Sequence, residues 1–264
     1  MRARSRTLEA IKGFAIASAT PLGLLVLWEW AGVAGLAPNY LSQPSAIWRA
    51  FLELAKAGEY FAAASISLQR AYLGFALGSG IGVALGLLAA MRKPVREFLD
   101  PIVSFLYPVP KIAFLPVLLL TFGIDDGSKV ALIALSVFFP LFLSARQSLA
   151  GVDKNIVWAA RNMGARSATL FYRVLLPAIR PQLFAGARIG LALAFIVLFA
   201  AEIISSRNGL GHLISEAENS VQFDAMLAGI AGFMVLGFIN DRILLSIRAW
   251  MLRGQLLGTE EGAF

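Results

Sequence analysis

The sequence contains no cysteine and a single histidine, His212, among its 264 residues. Without cysteine the chain can form neither a disulfide nor a thiolate nucleophile, and it lacks the usual ligand sets of zinc sites. It also contains no phosphate-binding loop of the type G-x4-G-K-[ST], so it cannot hydrolyse ATP by that route. No Ser/His/Asp set, paired carboxylates or metal cluster is visible in the sequence. These absences argue against a membrane enzyme.

Charge is also scarce, at 15% of residues, whereas a soluble globular domain carries about 25%. The chain is instead 58% hydrophobic, with a mean hydropathy of +0.74. No Pro-rich or Ser-rich linker, low-complexity tract or clear internal repeat divides it, so we expect residues 1–264 to form a single transmembrane domain. The net charge of +7 comes from basic residues in short loops beside apolar segments, which favours membrane orientation over nucleic-acid binding.

Six apolar segments are long enough to cross a bilayer as helices, which predicts an all-α membrane protein. The first segment follows "MRARSR" and imitates a signal peptide, with Ala17-Ser18-Ala19 as a candidate cleavage site. Its apolar stretch continues to about Ala37, however, so we expect a retained helix. The predicted spans are 14–36, 66–91, 98–122, 130–148, 183–204 and 225–247.

The distribution of basic residues predicts the orientation of these spans. With the N-terminus inside, fifteen Lys and Arg residues fall in inner loops, against three in outer loops and Lys129 at a boundary. This positive-inside bias predicts that both termini are cytoplasmic. The inner residues are Arg2, Arg4, Arg6, Lys12, Arg92, Lys93, Arg96, Arg146, Lys154, Arg161, Arg166, Arg173, Arg180, Arg248 and Arg253, and the outer ones are Arg49, Lys56 and Arg207.

Segment 44–60 carries too much charge to span, but its apolar residues fall on one helical face, which indicates an amphipathic helix on the outer surface. Pro44 suits the first turn of that helix. In the second span, glycines repeat once per turn on one face, which allows another helix to approach closely. Such a face is typical of ordinary membrane packing or of a helix that slides or rotates. The glycines are Gly74, Gly78, Gly82 and Gly86.

The third span contains four prolines that cannot all occupy one regular helix, namely Pro101, Pro108, Pro110 and Pro116. A broken helix in lipid frees backbone carbonyls, which must face protein or a wet cavity. Lys111 lies at this break. It either donates to the freed carbonyls, snorkels to the surface, or faces a transport path and favours anions.

Other charges fall within or beside the spans. Glu202 ends the fifth span before a tight outer turn that Gly209 and Gly211 indicate, and it is either paired in the structure or in contact with substrate. Arg188, near the inner end of the same span, is expected to snorkel. Asp241 and Arg242 are adjacent and therefore poor partners for each other.

The longest inner loop, residues 149–182, has the pattern of two short helices joined by a glycine. Asp153 suits an N-cap of the first helix and Gly164 ends it. Ser167 suits a cap of the second helix, and Pro177 and Pro181 are expected to close it before the fifth span. A loop built to hold a shape outside the membrane is expected to dock a cytoplasmic partner.

This loop resembles the EAA loop of ABC importer permeases, whose pattern is E-A-A-x3-G-x9-I-x-L-P. The matching positions are Ala159, Ala160, Gly164, Val174, Leu176 and Pro177, with Trp158 at the glutamate position. The segments "YLSQPSAIWRAF", "YPVPKIAFLPVLLLTFGI" and "AEIISSRNGLGHLI" are similar to the branch that imports nitrate, sulfonates, taurine, bicarbonate and vitamin precursors.

The resemblance implies a type I importer permease fold with a cytoplasmic coupling helix in a bacterial inner membrane. It implies a second permease copy, two cytoplasmic ATPase subunits that bind the ATP, and an external substrate-binding protein. In this interpretation Lys111 and Glu202 are candidates for the substrate path, and the chain needs no cofactor of its own. The alternative is an ion-coupled carrier or channel, which would have more titratable groups in its spans and no need of the inner loop.

Overall fold

The computed structural model describes residues 19–38 and 40–256, with side chains up to Arg253. This part of the chain contains helices and no strand. The signal-like start and the basic residues before Lys12, with Lys12 itself, lie outside the described residues. The helices are α1 (Ala19–Val33), α2 (Pro44–Lys56), α3 (Glu59–Met91), α4 (Lys93–Leu106), α5 (Leu115–Phe122), α6 (Asp126–Ala150), α7 (Lys154–Asn162), α8 (Ser167–Leu170), α9 (Leu176–Ser205), α10 (Leu210–Asn219) and α11 (Phe223–Leu256).

Four continuous helical stretches are long and apolar enough to cross a membrane: α3, α6, the run Ser167–Ser205 that ends in α9, and α11. A fifth comes from α4 and the helical segment Lys111–Phe122 if that bent pair forms one span. The described part of α1 is about 22 Å long at 1.5 Å per residue, short of about 30 Å of hydrocarbon. The all-helical prediction is therefore confirmed, while the count of six spans is not.

The third predicted span is broken as its prolines predict. The helical segments before and after the break are bent by 96° relative to each other. Pro101 lies inside α4 and Pro116 lies in the first turn of α5, after a 3-10 turn at Lys111–Phe114. A proline in a first helical turn removes no intrahelical hydrogen bond, which explains why α5 begins there.

The second inner helix is not separate from the fifth span, as the sequence analysis expected. Helix α8 continues through a π-helical turn, Phe171–Leu175, into α9. Pro177 lies in the first turn of α9 and Pro181 inside it. Proline clashes with the carbonyl of the residue four positions earlier, and the wider π turn accommodates this without ending the helix. Ser167 is the first residue of α8 and gives no side-chain cap.

The glycine face of α3 packs directly on α6. A Cβ atom added at Gly74 would lie 2.6 Å from Ile133 Cβ, and one added at Gly82 would lie 2.6 Å from the carbonyl oxygen of Phe138. A Cβ at Gly86 would lie 2.5 Å from the carbonyl oxygen of Phe142. Because these contacts are with main chain or with a Cβ atom over more than three turns, ordinary close packing explains the repeat.

The chain divides into two compact units. In the unit that comprises the described residues up to Ala62 with Leu213–Ala231, Glu29 of α1 accepts hydrogen bonds from the backbone N–H of Ser45 at 3.0 Å and from its hydroxyl at 2.7 Å. This carboxylate therefore caps α2, whose first turn contains Pro44. The predicted amphipathic helix is confirmed, although it ends at Lys56 and not at residue 60.

The other unit comprises Ala63–His212 and the described residues from Gly232 onward, and it contains the spans that surround α6. Leu132, Ile133, Val137, Phe142 and Ala145 of α6 are fully buried. These residues give α6 the most buried apolar stretch among the candidate spans. The unit also holds every site residue that the sequence predicted.

Candidate functional site

Helix α7 begins at a side-chain cap in the inner loop. The carboxylate of Asp153 accepts a hydrogen bond from the backbone N–H of Asn155 at 2.8 Å, which confirms the predicted N-cap. The cap satisfies one of the four N–H groups that a helix start leaves without an intrahelical partner. It fixes the point at which the chain turns from α6 into α7.

Helix α7 ends in a Schellman motif centred on Gly164. The N–H of Gly164 donates to Arg161 O at 2.9 Å, and the N–H of Ala165 donates to Ala160 O at 3.0 Å. Gly164 has φ of +82°, and no atom lies within 4 Å of a Cβ built on it. The glycine is therefore required for its left-handed backbone and not for close approach.

The two sides of α7 differ in their surroundings. Ala160 and Leu170 are the buried apolar residues of α7 and α8, and these two helices are in contact. The side chains of Trp158 and Met163 are 60% and 81% exposed, and Ala159 is exposed beside them. Trp158 on α7 and Met163 at its C-cap thus present apolar side chains that the described residues leave largely uncovered. Ala160 is small because of packing within the chain and does not belong to this exposed surface.

The rest of the EAA-like pattern lies beyond the glycine elbow. Val174 is in the π-helical turn, and Leu176 and Pro177 begin α9. All three are half-buried. The pattern therefore divides into an exposed part on α7 and a part that joins the loop to the following span.

A cleft of about 390 Å³ connects the loop to two spans. Its wall contains residues from the C-terminal end of α6, the start of α7 and the start of α9. The cleft therefore places the start of α7 beside the ends of both α6 and α9. The lining residues are Gln147, Ser148, Gly151, Val152, Asp153, Ile156, Ala178, Ile179 and Gln182.

Lys111 closes the break in the third span. Its ammonium group donates to the carbonyl oxygens of Leu106 at 2.9 Å, Tyr107 at 2.7 Å and Val109 at 2.7 Å. It also lies 4.4 Å from the ring centroid of Phe139. An ammonium group has three protons, so these carbonyls use its full donor capacity. The geometry agrees with the first interpretation of Lys111, as the donor to carbonyls that the prolines free.

Glu202 belongs to a buried cluster of charged side chains at the end of α9. It is fully buried, and Nη1 of Arg70 donates to its Oε1 at 2.6 Å. The hydroxyl of Ser67 lies 2.9 and 2.8 Å from its two oxygens, and the N–H of Gly211 donates to Oε2 at 2.9 Å. Arg70 also donates from Nε to Asp126 at 2.7 Å. The carboxylate is thus paired, as one of the two interpretations of Glu202 expected.

This cluster also holds the loop between α9 and α10. Arg70 donates from Nη1 to the carbonyl oxygen of Asn208 at 3.0 Å, and the buried ammonium of Lys129 donates to that of Ser205 at 2.8 Å. Gly209 has φ of +98°, and a Cβ there would lie 2.6 Å from Glu202 Oε1. The predicted tight turn is confirmed, and its glycine is required by both conformation and space.

Two features of the sites were not predicted from the sequence. Arg70 was not singled out, although an arginine inside a predicted span indicates a buried acidic partner, which here is Glu202. Arg188 was expected to snorkel, but it forms a bidentate pair with Asp241, with Nε–Oδ1 at 2.7 Å and Nη2–Oδ2 at 3.1 Å. The two residues are 53 positions apart in the sequence, so no local pattern indicates this pair. Arg242, the neighbour of Asp241 in the sequence, has its guanidinium 3.6 Å from the Asp241 carboxylate.

Comparisons with known proteins show the family to which the chain belongs. Residues 82–252 match the family model described as the binding-protein-dependent transport system inner membrane component. The SsuC protein of Bacillus subtilis (strain 168), whose name assigns it to aliphatic sulfonates transport as a permease, is 34% identical over 88% of this chain and 85% of its own length. The taurine transport system permease protein TauC of Escherichia coli (strain K12) is 32% identical over 87% of this chain and 84% of its own.

The fold is similar to that of a solved ABC transporter. A chain of the MetNI methionine ABC transporter in an inward-facing conformation aligns with a TM-score of 0.63. The alignment covers 75% of this chain and 98% of that chain, at 16% identity. At this identity the comparison shows the fold alone.

Proposed function

The chain belongs to the family of binding-protein-dependent transport system inner membrane components, and from this premise we propose how its helices and its inner loop work in transport. The protein is the transmembrane permease subunit of an ABC importer and a multi-pass membrane protein. The family implies two kinds of partner, an ATPase and a substrate-binding protein.

The exposed surface of α7 is the proposed docking site for the ATPase. Trp158 and Met163 present apolar side chains to solvent, while the buried side of α7 is fixed against α8. Tryptophan is enriched at the energetic centres of protein interfaces because it buries a large area with few rotatable bonds. In this proposal Trp158 replaces the polar contact of the usual glutamate with an apolar one. This exposed surface is the observation on which the docking proposal rests.

The cleft behind α7 supports the second part of the proposal, that the loop transmits movement. Asp153 and Ile156 of the α7 region line it together with Gln147 of α6 and Gln182 of α9. A rigid helix seated on an ATPase would move both spans when the ATPase closes on ATP. The ATP is bound and hydrolysed by that separate subunit, because this chain has no phosphate-binding loop.

The proposed assembly contains two copies of this permease, two ATPase subunits and one external binding protein, in a bacterial inner membrane. The inner excess of basic residues supports an orientation with both termini in the cytoplasm. In that orientation α7 lies on the ATPase side of the membrane.

The proposed substrate is a small solute with an anionic group. The names of the two relatives refer to aliphatic sulfonates and taurine. The geometry of Lys111 gives it a role in holding the broken span, so the contact with an anion is expected from other side chains. Glu202 likewise has a structural role, because it holds the turn between α9 and α10.

A matched pair of tryptophan substitutions tests the docking proposal. Trp158 and Trp48 are both 60% exposed, and Trp48 lies on α2. At about 25 cal/mol per Å² and about 150–250 Å² for a full tryptophan, the exposed part is worth about 2–4 kcal/mol on docking. We expect Trp158→Ala to weaken binding of the ATPase about thirtyfold or more, as measured by titration of the permease in nanodiscs.

Trp48→Ala is the control and should leave ATPase binding unchanged. ATP turnover and ATP-dependent uptake by the complex should fall in parallel with binding in Trp158→Ala. Unchanged ATPase affinity in Trp158→Ala, or an equal loss in both variants, would show that this surface is not the docking site.

A further inference from the structure

Three charged side chains meet between α9 and α11, away from the sites described above. Arg188 of α9 holds both oxygens of Asp241 of α11. Arg242 lies one residue further along α11, with its guanidinium 3.6 Å from Asp241 and 4.8 Å from the ring centroid of Phe238. We call Arg188, Asp241 and Arg242 the inner charge cluster. Two positive groups face one negative group, so the cluster carries one positive charge in excess.

The cluster lies within the spans and is open on one side. Arg188 is 17 residues from the end of α9 at Ser205, or about 26 Å at 1.5 Å per residue. This places it in the inner part of a hydrocarbon layer about 30 Å thick. The side chains of Arg188 and Arg242 are nevertheless 52% and 58% exposed. Charged groups at such a depth face a wet cavity or protein, because contact with lipid is costly.

Four other cations in or beside the spans of this unit donate to defined partners, although the Nε of Arg146 has none. Lys111 and Lys129 donate to backbone carbonyls, Arg70 to two carboxylates, and Arg146 to Asp100. In the inner charge cluster, by contrast, Arg242 has only the long contact with Asp241 and the contact with a ring. It therefore offers guanidinium N–H groups, which bind oxyanions in a fork-like geometry.

We propose that the inner charge cluster contacts the anionic group of the transported solute in the inner part of the path. The proposal rests on the proposed function and adds the residues that would recognise the anion. Arg242 supplies the contact, and Arg188 adds positive potential. Asp241 orients Arg188 and limits the excess to one charge. A binding site on a transport path must attract the solute without retaining it, and a single excess positive charge meets both needs.

The absence of cysteine from the chain allows a direct test with charged thiol reagents. A single cysteine is placed one helical turn before Arg242 (Phe238→Cys) or one turn after it (Ser246→Cys), the latter nearly isosteric. The permease–ATPase complex in nanodiscs is treated with the sulfonatoethyl or the trimethylammonioethyl methanethiosulfonate reagent. The first reagent is itself a short aliphatic sulfonate. The measured quantity is the ratio of the two reaction rates.

We expect both cysteines to react, with the anionic reagent favoured after correction for the reactivity of a free thiol. Arg242→Gln removes the excess charge without breaking the pair of Arg188 and Asp241, and it should lower the rate ratio at both positions by roughly tenfold. Arg242→Lys keeps the charge and should preserve the ratio. Arg248→Gln is the control in the Phe238→Cys background, since it removes an equal charge about 15 Å along the same helix.

Three results of the labelling experiment would overturn the proposal. Cysteines that react with neither reagent would show a dry face, and a rate ratio that is the same in Arg242→Gln as in Arg242→Lys would show that the charge has no influence. An anion preference that is present without anionic lipid and lost with it would show that the phosphate of an anionic lipid occupies the cluster in place of the solute. ATP-dependent uptake of ethanesulfonate into vesicles by the wild-type complex, with its external binding protein present, is measured separately. Its absence would overturn the proposed function, whereas uptake without an anion preference would overturn only the contact site.

Discussion

Replacing Glu202 by glutamine should destabilise the permease strongly, because it removes the charge that faces the buried guanidinium of Arg70. One carboxylate oxygen accepts from Arg70 at 2.6 Å, and the other accepts from the N–H of Gly211 at 2.9 Å. A glutamine amide can replace only one of these acceptors, and its NH2 group then faces a donor at the other position. Removing one partner of a buried pair costs about 3–5 kcal/mol, and we expect a loss in that range.

Asp126→Asn provides the matched comparison, because Asp126 pairs with the same guanidinium at 2.5 Å. Its side chain is 64% exposed, however, so water replaces much of what the pair contributes. Exposed ion pairs contribute about 0–1 kcal/mol. The two substitutions each remove one negative charge from Arg70 and differ mainly in burial.

The assay is thermal unfolding of the purified permease in detergent. The measured quantity is the fraction of protein that remains folded after heating to each temperature. For a chain of this size about 1 kcal/mol corresponds to roughly 2–4 °C, so Glu202→Gln should lower the midpoint by roughly 6–20 °C and Asp126→Asn by less than about 4 °C. Equal shifts in the two variants would refute the reasoning, since burial would then not determine the contribution of the charge.

Two further predictions concern the spans. Gly82→Ala should reduce the yield of folded permease severely, because its Cβ would meet the carbonyl oxygen of Phe138 at 2.6 Å. Gly80→Ala has open space around the added Cβ and should be tolerated. Size-exclusion profiles of the two variants in detergent give the comparison, and similar profiles would contradict the close packing of α3 on α6. Lys111→Met should lower both the unfolding midpoint and the rate of uptake, because it leaves the carbonyls at the break without their donor. A loss of uptake at an unchanged midpoint would instead indicate that Lys111 contacts the substrate.

Much of the fold could be predicted because the bilayer requires regular features. Apolar length predicted where the helices run, and the prolines around Lys111 predicted the break, since proline cannot donate a hydrogen bond. Asp153 and Gly164 identified both ends of α7 through local capping chemistry. Each of these signals lies within a few residues of the feature it specifies.

The remaining features depend on residues far apart in the chain. The pairs of Arg70 with Glu202 and of Arg188 with Asp241 join positions 132 and 53 residues apart, and no spacing rule relates them. The continuity of α8 with α9 was missed because a proline such as Pro177 usually marks a helix end. The π turn that accommodates this proline is seen in the structure but has no signal in the sequence. The burial of Ala160 could not be distinguished from contact with a partner, because both require a small residue.

The glycine contacts between α3 and α6 make the two helices a single lever. At 1.5 Å per residue, the 33 residues of α3 form a rod about 50 Å long, and an inclination of about 5° would displace one end by about 4 Å relative to the other. Because Gly78, Gly82 and Gly86 of α3 lie against the main chain of α6, this part of the contact cannot absorb such a tilt by repacking side chains. A push near the C-terminal end of α6, where the cleft behind α7 lies, would therefore reach the opposite side of the membrane with little loss of amplitude.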